Sequence, residues 1–200
     1  MPRLKEVTRA DAASDLVLTT YDRVFGPEHP VEGAPSKAGL PGNWWTVYAL
    51  EPDLFKLMLD RQEWQWAEGR QIDPVLRELG ITRAGWNVGS QFVYSQHCKF
   101  LRKIGVSEEK IAAIPSWSSA TCFSEIERAA LGYADDLVLG NGRSSDARFA
   151  DLKKELSDVA ILELTFVICT YQTSAIMARA LRLEWDDRDD PIVEVAPTKQ

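Results

Sequence analysis

Asp73-Pro74-Val75-Leu76-Arg77-Glu78-Leu79-Gly80-Ile81-Thr82-Arg83-Ala84-Gly85-Trp86, running on through residue 104, decides the fold class. Val75, Glu78, Leu79, Thr82 and Trp86 recur at three- and four-residue steps, the period of one helix face, and Pro74 suits a first helical turn. From Asn87 the same period returns. Val93, His97, Leu101 and Ile104 lie at i, i+4, i+8 and i+11, and Gly105 marks a stop. The spacing predicts two consecutive helices, over about 74–86 and 87–104, packed as antiparallel neighbours. Each turns one ionisable side chain inward, Glu78 from the first and His97 from the second. Ser90 and Tyr94 fall on the His97 side of its helix. A desolvated Glu–His pair has the parts for general acid–base work near neutral pH. Taken singly, each residue also has a plainer role, as a core histidine and as a first-turn carboxylate.

Outward from this pair the helix signals continue. A first helix is expected over 11–25, with Leu16, Val17, Thr20, Tyr21 and Val24 on one stripe and Gly26 as its stop. The Pro- and Gly-rich stretch 27–41 reads as an extended arm. Helices over 44–50 and, opened by Pro52, over 52–68 follow. Ser107 with Glu108 and Glu109 starts a short helix that Pro115 ends. Ser124-x-x-Glu127 is a capping box before 126–139. Asn141-Gly142 makes a turn, Ser145-Asp146 caps a helix to about 156, and Ser157-Asp158 opens the longest, to about 183. That last helix is apolar nearly all round, which places it centrally or at a subunit interface. No stretch alternates with period two. The chain is expected to be all-α: an N-terminal helix and arm over 1–43, a helical domain over 44–190 and a tail over 191–200.

The composition agrees with a soluble-type globular chain. Two hundred residues, 45% hydrophobic and 26% charged, bury a core without disulfide or metal staples. The net charge of −7 disfavours nucleic acid and anionic membrane surfaces as partners. Glu163 interrupts the longest apolar run, so no membrane span is expected. With only His29 and His97 as histidines and no C-x-x-C, no metal site is expected. The odd set Cys98, Cys122 and Cys169 and the polar N-terminus suggest free thiols in a reducing, cytoplasmic compartment. Cys98 and Cys169 read as small core hydrophobes; Cys122, before a helix start, is the best of three weak candidates for a reactive thiol. Trp44, Trp45, Trp64, Trp66 and Trp86 cluster around the Glu78–His97 region in sequence. They suit core packing, or an aromatic-lined pocket for an unsaturated ligand. Arg83 could pair with a substrate carboxylate in bidentate fashion, make a structural salt bridge, or lie at a subunit interface.

Three segments carry a family resemblance. Arg77-Glu78-Leu79-Gly80-Ile81-Thr82-Arg83, Gly89-Ser90-Gln91-Phe92-Val93-Tyr94-Ser95-Gln96-His97 and Arg102-Lys103-Ile104-Gly105-Val106-Ser107-Glu108-Glu109, in this order and spacing, resemble the core of the carboxymuconolactone decarboxylase family, which includes alkylhydroperoxidase-D-like proteins. The resemblance implies an all-α fold of paired helices and a homo-oligomer, here a dimer or trimer. In the redox branch of that family a glutamate precedes C-x-x-C and then a histidine. These fall on Glu78, Ser90, Val93 and His97. Both thiols are missing, so that redox cycle cannot run as written, while the two proton-handling positions remain.

The resemblance therefore implies a cofactor-independent lyase of decarboxylase type, acting on a small carboxylated lactone or related carbonyl compound. Glu78 and His97 are its catalytic residues, and Arg83, Trp86, Ser90 and Tyr94 are candidates for substrate binding. The competing readings are thiol peroxidase chemistry through Cys98 or Cys122, and a non-catalytic family member that keeps only the fold.

Overall fold

The structure, a computed structural model, describes residues 2–31, 42–183 and 190–192. Every regular element among them is helical. The chain divides into two compact units, residues 1–71 with 176–185, and residues 72–175 with 186–200. The arm expected over 27–41 and the tail expected over 191–200 lie for the most part outside the described residues.

The first unit is built on α1 (Asp15–Phe25), α2 (Gly42–Tyr48) and α3 (Pro52–Trp66). Helix α1 starts later than its apolar stripe suggests, because Ser14 caps it by accepting the Leu16 N–H. Its buried face carries Val17, Tyr21 and Phe25, and the Tyr21 hydroxyl donates to the Val7 carbonyl at 2.9 Å. Trp44, Trp45 and Phe55 form the aromatic core here, with Trp45 edge-on to Phe55 at 6.3 Å between ring centres. Helix α3 begins as expected at Pro52, and the Glu51 carboxylate accepts the N–H groups of Asp53 and Leu54, each at 3.0 Å.

The second unit holds α4 (Pro74–Val88), α5 (Gln91–Lys103), α6 (Glu108–Ala113) with a 3₁₀ turn (Ile114–Ser116), α7 (Glu125–Val138), α8 (Asp146–Lys153) and the greater part of α9 (Asp158–Leu181). The expected junction at Trp86–Asn87 lies further along the chain. Helix α4 runs on to Val88; Gly89 then adopts φ 72°, which a residue with a Cβ resists, and Ser90 restarts the chain as the N-cap of α5. The capping box of α7 forms as read, with Ser124 and Glu127 each accepting the other's backbone N–H.

Two glycines set how closely α4 approaches its neighbours. A Cβ on Gly80 would stand 3.0 Å from the Ile168 side chain of α9, and one on Gly85 would stand 2.9 Å from the Tyr94 nitrogen of α5. Around them lies one apolar cluster, including Leu79, Tyr94, Cys98, Leu101, Ile111, Ile114 and Leu131. Burial of such side chains stabilises by roughly 1.5–3 kcal/mol each.

Helix α9 corrects two expectations. Its 24 residues include a window of mean hydropathy 1.5, long and apolar enough by length and composition to cross a membrane; one glutamate does not break the run. Half of that window is buried inside the protein, and Glu163 is itself buried, accepting the Ile72 N–H at 2.8 Å. Cys169, expected in the core, is exposed, because it falls on the outer stripe of the helix with Leu162 and Phe166.

Candidate functional site

Glu78 lies in the second turn of α4, and His97 in the second turn of α5. The tight crossing at Gly85 brings the two helices together, and the side chains meet: His97 Nδ1 stands 2.6 Å from Glu78 Oε2. Glu78 is fully buried and His97 is 4% exposed. Arg77 donates from Nε to the other carboxylate oxygen, Oε1, at 3.1 Å. The buried carboxylate thus has a cation on one oxygen and an imidazole on the other, as a charge removed from water requires. The imidazole packs edge-on against Tyr171 of α9, with ring centres 4.5 Å apart, and against Phe100 at 5.6 Å.

The four residues considered for substrate binding have other partners. Arg83 forms a bidentate pair with Asp135 of α7, at 2.6 and 3.1 Å, and donates to the carbonyls of Ile114 and Pro115. Of its alternatives this is the structural salt bridge. Burial alone would raise the Asp135 pKa, but hydrogen bonds from Arg83, Asn87 and the Trp117 indole outweigh that and hold it below the ordinary carboxylate range. Trp86 is half-buried and lies against Tyr94, ring centres 5.3 Å apart. Ser90 is buried, its hydroxyl accepting the Val93 N–H at the start of α5. Tyr94 faces the apolar cluster and Cys98; burial, with the thiol beside it, pushes its hydroxyl pKa up. None of the four has a described contact with Glu78 or His97.

Two neighbours of the pair were not foreseen. Arg77 sits next to Glu78 in sequence, and helix geometry normally turns adjacent side chains about 100° apart; its long side chain curls back to the carboxylate. Tyr171 lies on a helix whose apolar character hides which residue touches what. Cys98 is wholly buried as expected, and burial pushes its thiol up to about 12.

Residues 52–136, which include both members of the pair, match the family model for carboxymuconolactone decarboxylase. This segment belongs to the carboxymuconolactone decarboxylase family. A relative within reach by sequence is the uncharacterized protein YdfG of Bacillus subtilis (strain 168), 24% identical over 124 residues, 62% of this chain and 83% of that protein. Among solved structures, ATU0492 of Agrobacterium tumefaciens, a protein of unknown function, is 25% identical with a TM-score of 0.63, covering 74% of this chain and 96% of that one. The alkylhydroperoxidase AhpD core of an uncharacterized peroxidase-related protein from Ralstonia eutropha JMP134 has a TM-score of 0.69 at 13% identity, over 92% and 95% of the two chains. The fold is alkylhydroperoxidase-D-like. Ser90 and Val93 stand where the redox branch of that family has its two cysteines.

Proposed function

We propose that the protein is a cofactor-independent acid–base enzyme of lyase type, acting on a small carboxylated lactone or related carbonyl compound, with Glu78 and His97 as its proton-handling pair. The observation that carries this reading is the 2.6 Å contact between His97 Nδ1 and Glu78 Oε2 in a buried setting. With Nδ1 engaged by the carboxylate, Nε2 is the ring nitrogen that exchanges a proton with substrate. Glu78 fixes the tautomer and the ring angle, and Tyr171 limits ring rotation. Only 4% of His97 meets solvent, so chemistry at its ring runs with little water around it.

In a decarboxylation the bond between the carboxylate carbon and the substrate skeleton breaks and carbon dioxide leaves. The electron pair moves onto the conjugated lactone carbonyl. His97 Nε2 delivers a proton to carbon as the carbonyl re-forms, and the imidazole regains its proton from solvent. The step needs no oxidant and no cofactor. Free thiols at Cys98, Cys122 and Cys169 fit a reducing cytoplasm.

The thiol antioxidant alternative has less support. Ser90 caps a helix where a cysteine would be needed, and the Cys98 thiol is wholly buried and pushed up to about 12 by that burial. The test is carbon dioxide release from a panel of carboxylated lactones by wild type and His97→Asn. Wild type should turn over at least one member, and the variant should lose roughly 10²–10⁴ in rate. Hydroperoxide reduction abolished by Cys98→Ser or Cys122→Ser would overturn the reading in favour of thiol chemistry.

A further inference from the structure

We propose that Asp190–Ile192 is a releasable strap across α5, which seals the Tyr94 hydroxyl and the Cys98 thiol when seated and opens them to solvent when it lifts. The seat runs along one stripe of the helix. Gln91, Tyr94, Cys98 and Arg102 lie at i, i+3, i+7 and i+11 of α5. The two end members hold the strap. The Gln91 carboxamide takes its backbone at two points: Nε2 donates to the Asp190 carbonyl, and Oε1 accepts the Ile192 N–H. At the other end, Arg102 donates from Nη1 and Nη2 to the two carboxylate oxygens of Asp190, at 2.7 Å each.

The two middle members of the stripe lie under this hold. Ile192 packs on the apolar cluster that contains Tyr94 and Cys98. Burial is the largest cause of the raised Cys98 thiol, and the charge of Asp190 comes next; the same charge acts on Tyr94. The seated strap therefore covers the thiol and also disfavours the thiolate, the form that reacts.

The hold is built to release. Pro191 brings no N–H, so the strap backbone rests on one side-chain amide. The ion pair is partly wet, with the Arg102 side chain 33% and that of Asp190 15% exposed, a setting in which such pairs hold weakly. Arg102 also keeps a partner when the strap leaves. Its Nε and Nη2 donate to Glu108 at 2.6 and 3.0 Å. Lifting Asp190 thus strands no cation, which is the step that makes breaking a buried pair costly.

Labelling of the full chain with N-ethylmaleimide along a urea series tests the strap, read at each cysteine by mass spectrometry beside circular dichroism. In wild type, Cys98 should label only in step with the loss of helical signal, while the exposed Cys169 labels throughout as the reference. Asp190→Lys sets two cations against each other. With its helical spectrum unchanged, it should label at Cys98 in the absence of urea at least about tenfold faster than wild type, the worth of one charge-assisted hydrogen bond. Ile192→Asp, which leaves Asp190 and Arg102 in place, should do the same. In both variants the Cys98 rate should change little at low urea, because lifting three residues exposes little surface and global unfolding exposes much. Glu108→Gln should behave as wild type, since Glu108 meets Arg102 from the other side of the guanidinium. Cys98 labelling as slow in either strap variant as in wild type overturns the proposal. So does labelling that rises only in parallel with the loss of helical signal, which would make the segment an ordinary stabilising contact. Equal acceleration by Glu108→Gln, or wild-type Cys98 labelling as fast as Cys169, overturns it as well.

Discussion

The imidazole of His97 and the carboxylate of Glu78 meet at 2.6 Å although 19 residues separate them in the chain. The contact depends on three features of the local sequence: Gly89 ending α4, Ser90 starting α5, and Gly85 letting the helices cross with almost no spacing. The chain has only two histidines, so the ring signals of His97 are easy to assign. A nitrogen-15 correlation spectrum should show one imidazole bonded through Nδ1 with a strongly deshielded ring proton. Glu78→Gln should move that proton upfield, since an amide oxygen is a weaker acceptor than a carboxylate. A ring signal indifferent to Glu78→Gln would show that the two groups do not share a proton.

Gly85→Ala tests the crossing. The added Cβ would sit 2.9 Å from the Tyr94 backbone nitrogen, where no flexible side chain can give way. Elsewhere in a helix this substitution stabilises by about 0.5–1 kcal/mol. Here it should destabilise by roughly 1–3 kcal/mol, as overpacking does. Urea denaturation followed by circular dichroism measures the sign, and a more stable variant would contradict the packing described.

Asp135 holds the guanidinium of Arg83, the amide of Asn87 and the indole of Trp117. Asp135→Ala should cost about 2–3 kcal/mol, because it strands a buried cation and two donors. The pH dependence has a definite sign. The folded-state pKa is lowered, so this contribution is fully present above the unfolded value near ~3.9 and is lost as pH falls through the folded value. Asp135→Asn should flatten that part of the acid limb of a stability-against-pH curve. An unchanged acid limb would show that Asp135 is not what makes the fold acid-sensitive there.

How much of this was legible beforehand follows the range of each interaction. Caps are local, and Ser107, Ser124 and Ser145 all start the helices they were expected to start. The period of α5 turned His97 inward with Val93 and Leu101, but Ile104 at the end of that stripe is exposed, and α4 is buried on every side from Leu76 to Gly85, so there the period singled out no face. The partner of Arg83 was not legible, because Asp135 lies 52 residues away and nothing in the spacing distinguishes it from a solvent-facing acid. Cys169 was misplaced for a different reason. Helix α9 is apolar on every side, so the sequence carries no contrast between its buried and exposed faces.

The cysteines give a graded chemical test. Burial pushes the Cys98 thiol up to about 12, whereas Cys169 is exposed. Native protein should react with a thiol reagent at Cys169 first and at Cys98 only on unfolding. The raised Cys98 pKa also means that the unfolded thiol, near ~8.5, ionises first, so its contribution to stability is lost as pH rises above that value. Mass spectrometry of partly labelled native protein reads the order, and early labelling of Cys98 would contradict its burial.

In the proposed reaction Glu78 and His97 deliver a proton to the substrate carbon that loses carbon dioxide. The most direct measurement is deuterium incorporation in D₂O, followed by proton NMR, with carboxylated lactones as substrates. Wild type should release carbon dioxide and place one solvent deuterium on the carbon that lost it. His97→Asn, folded to the same extent, should be slower by roughly 10²–10⁴. Equal incorporation by wild type and His97→Asn, or none by wild type across the panel, would contradict this proton delivery.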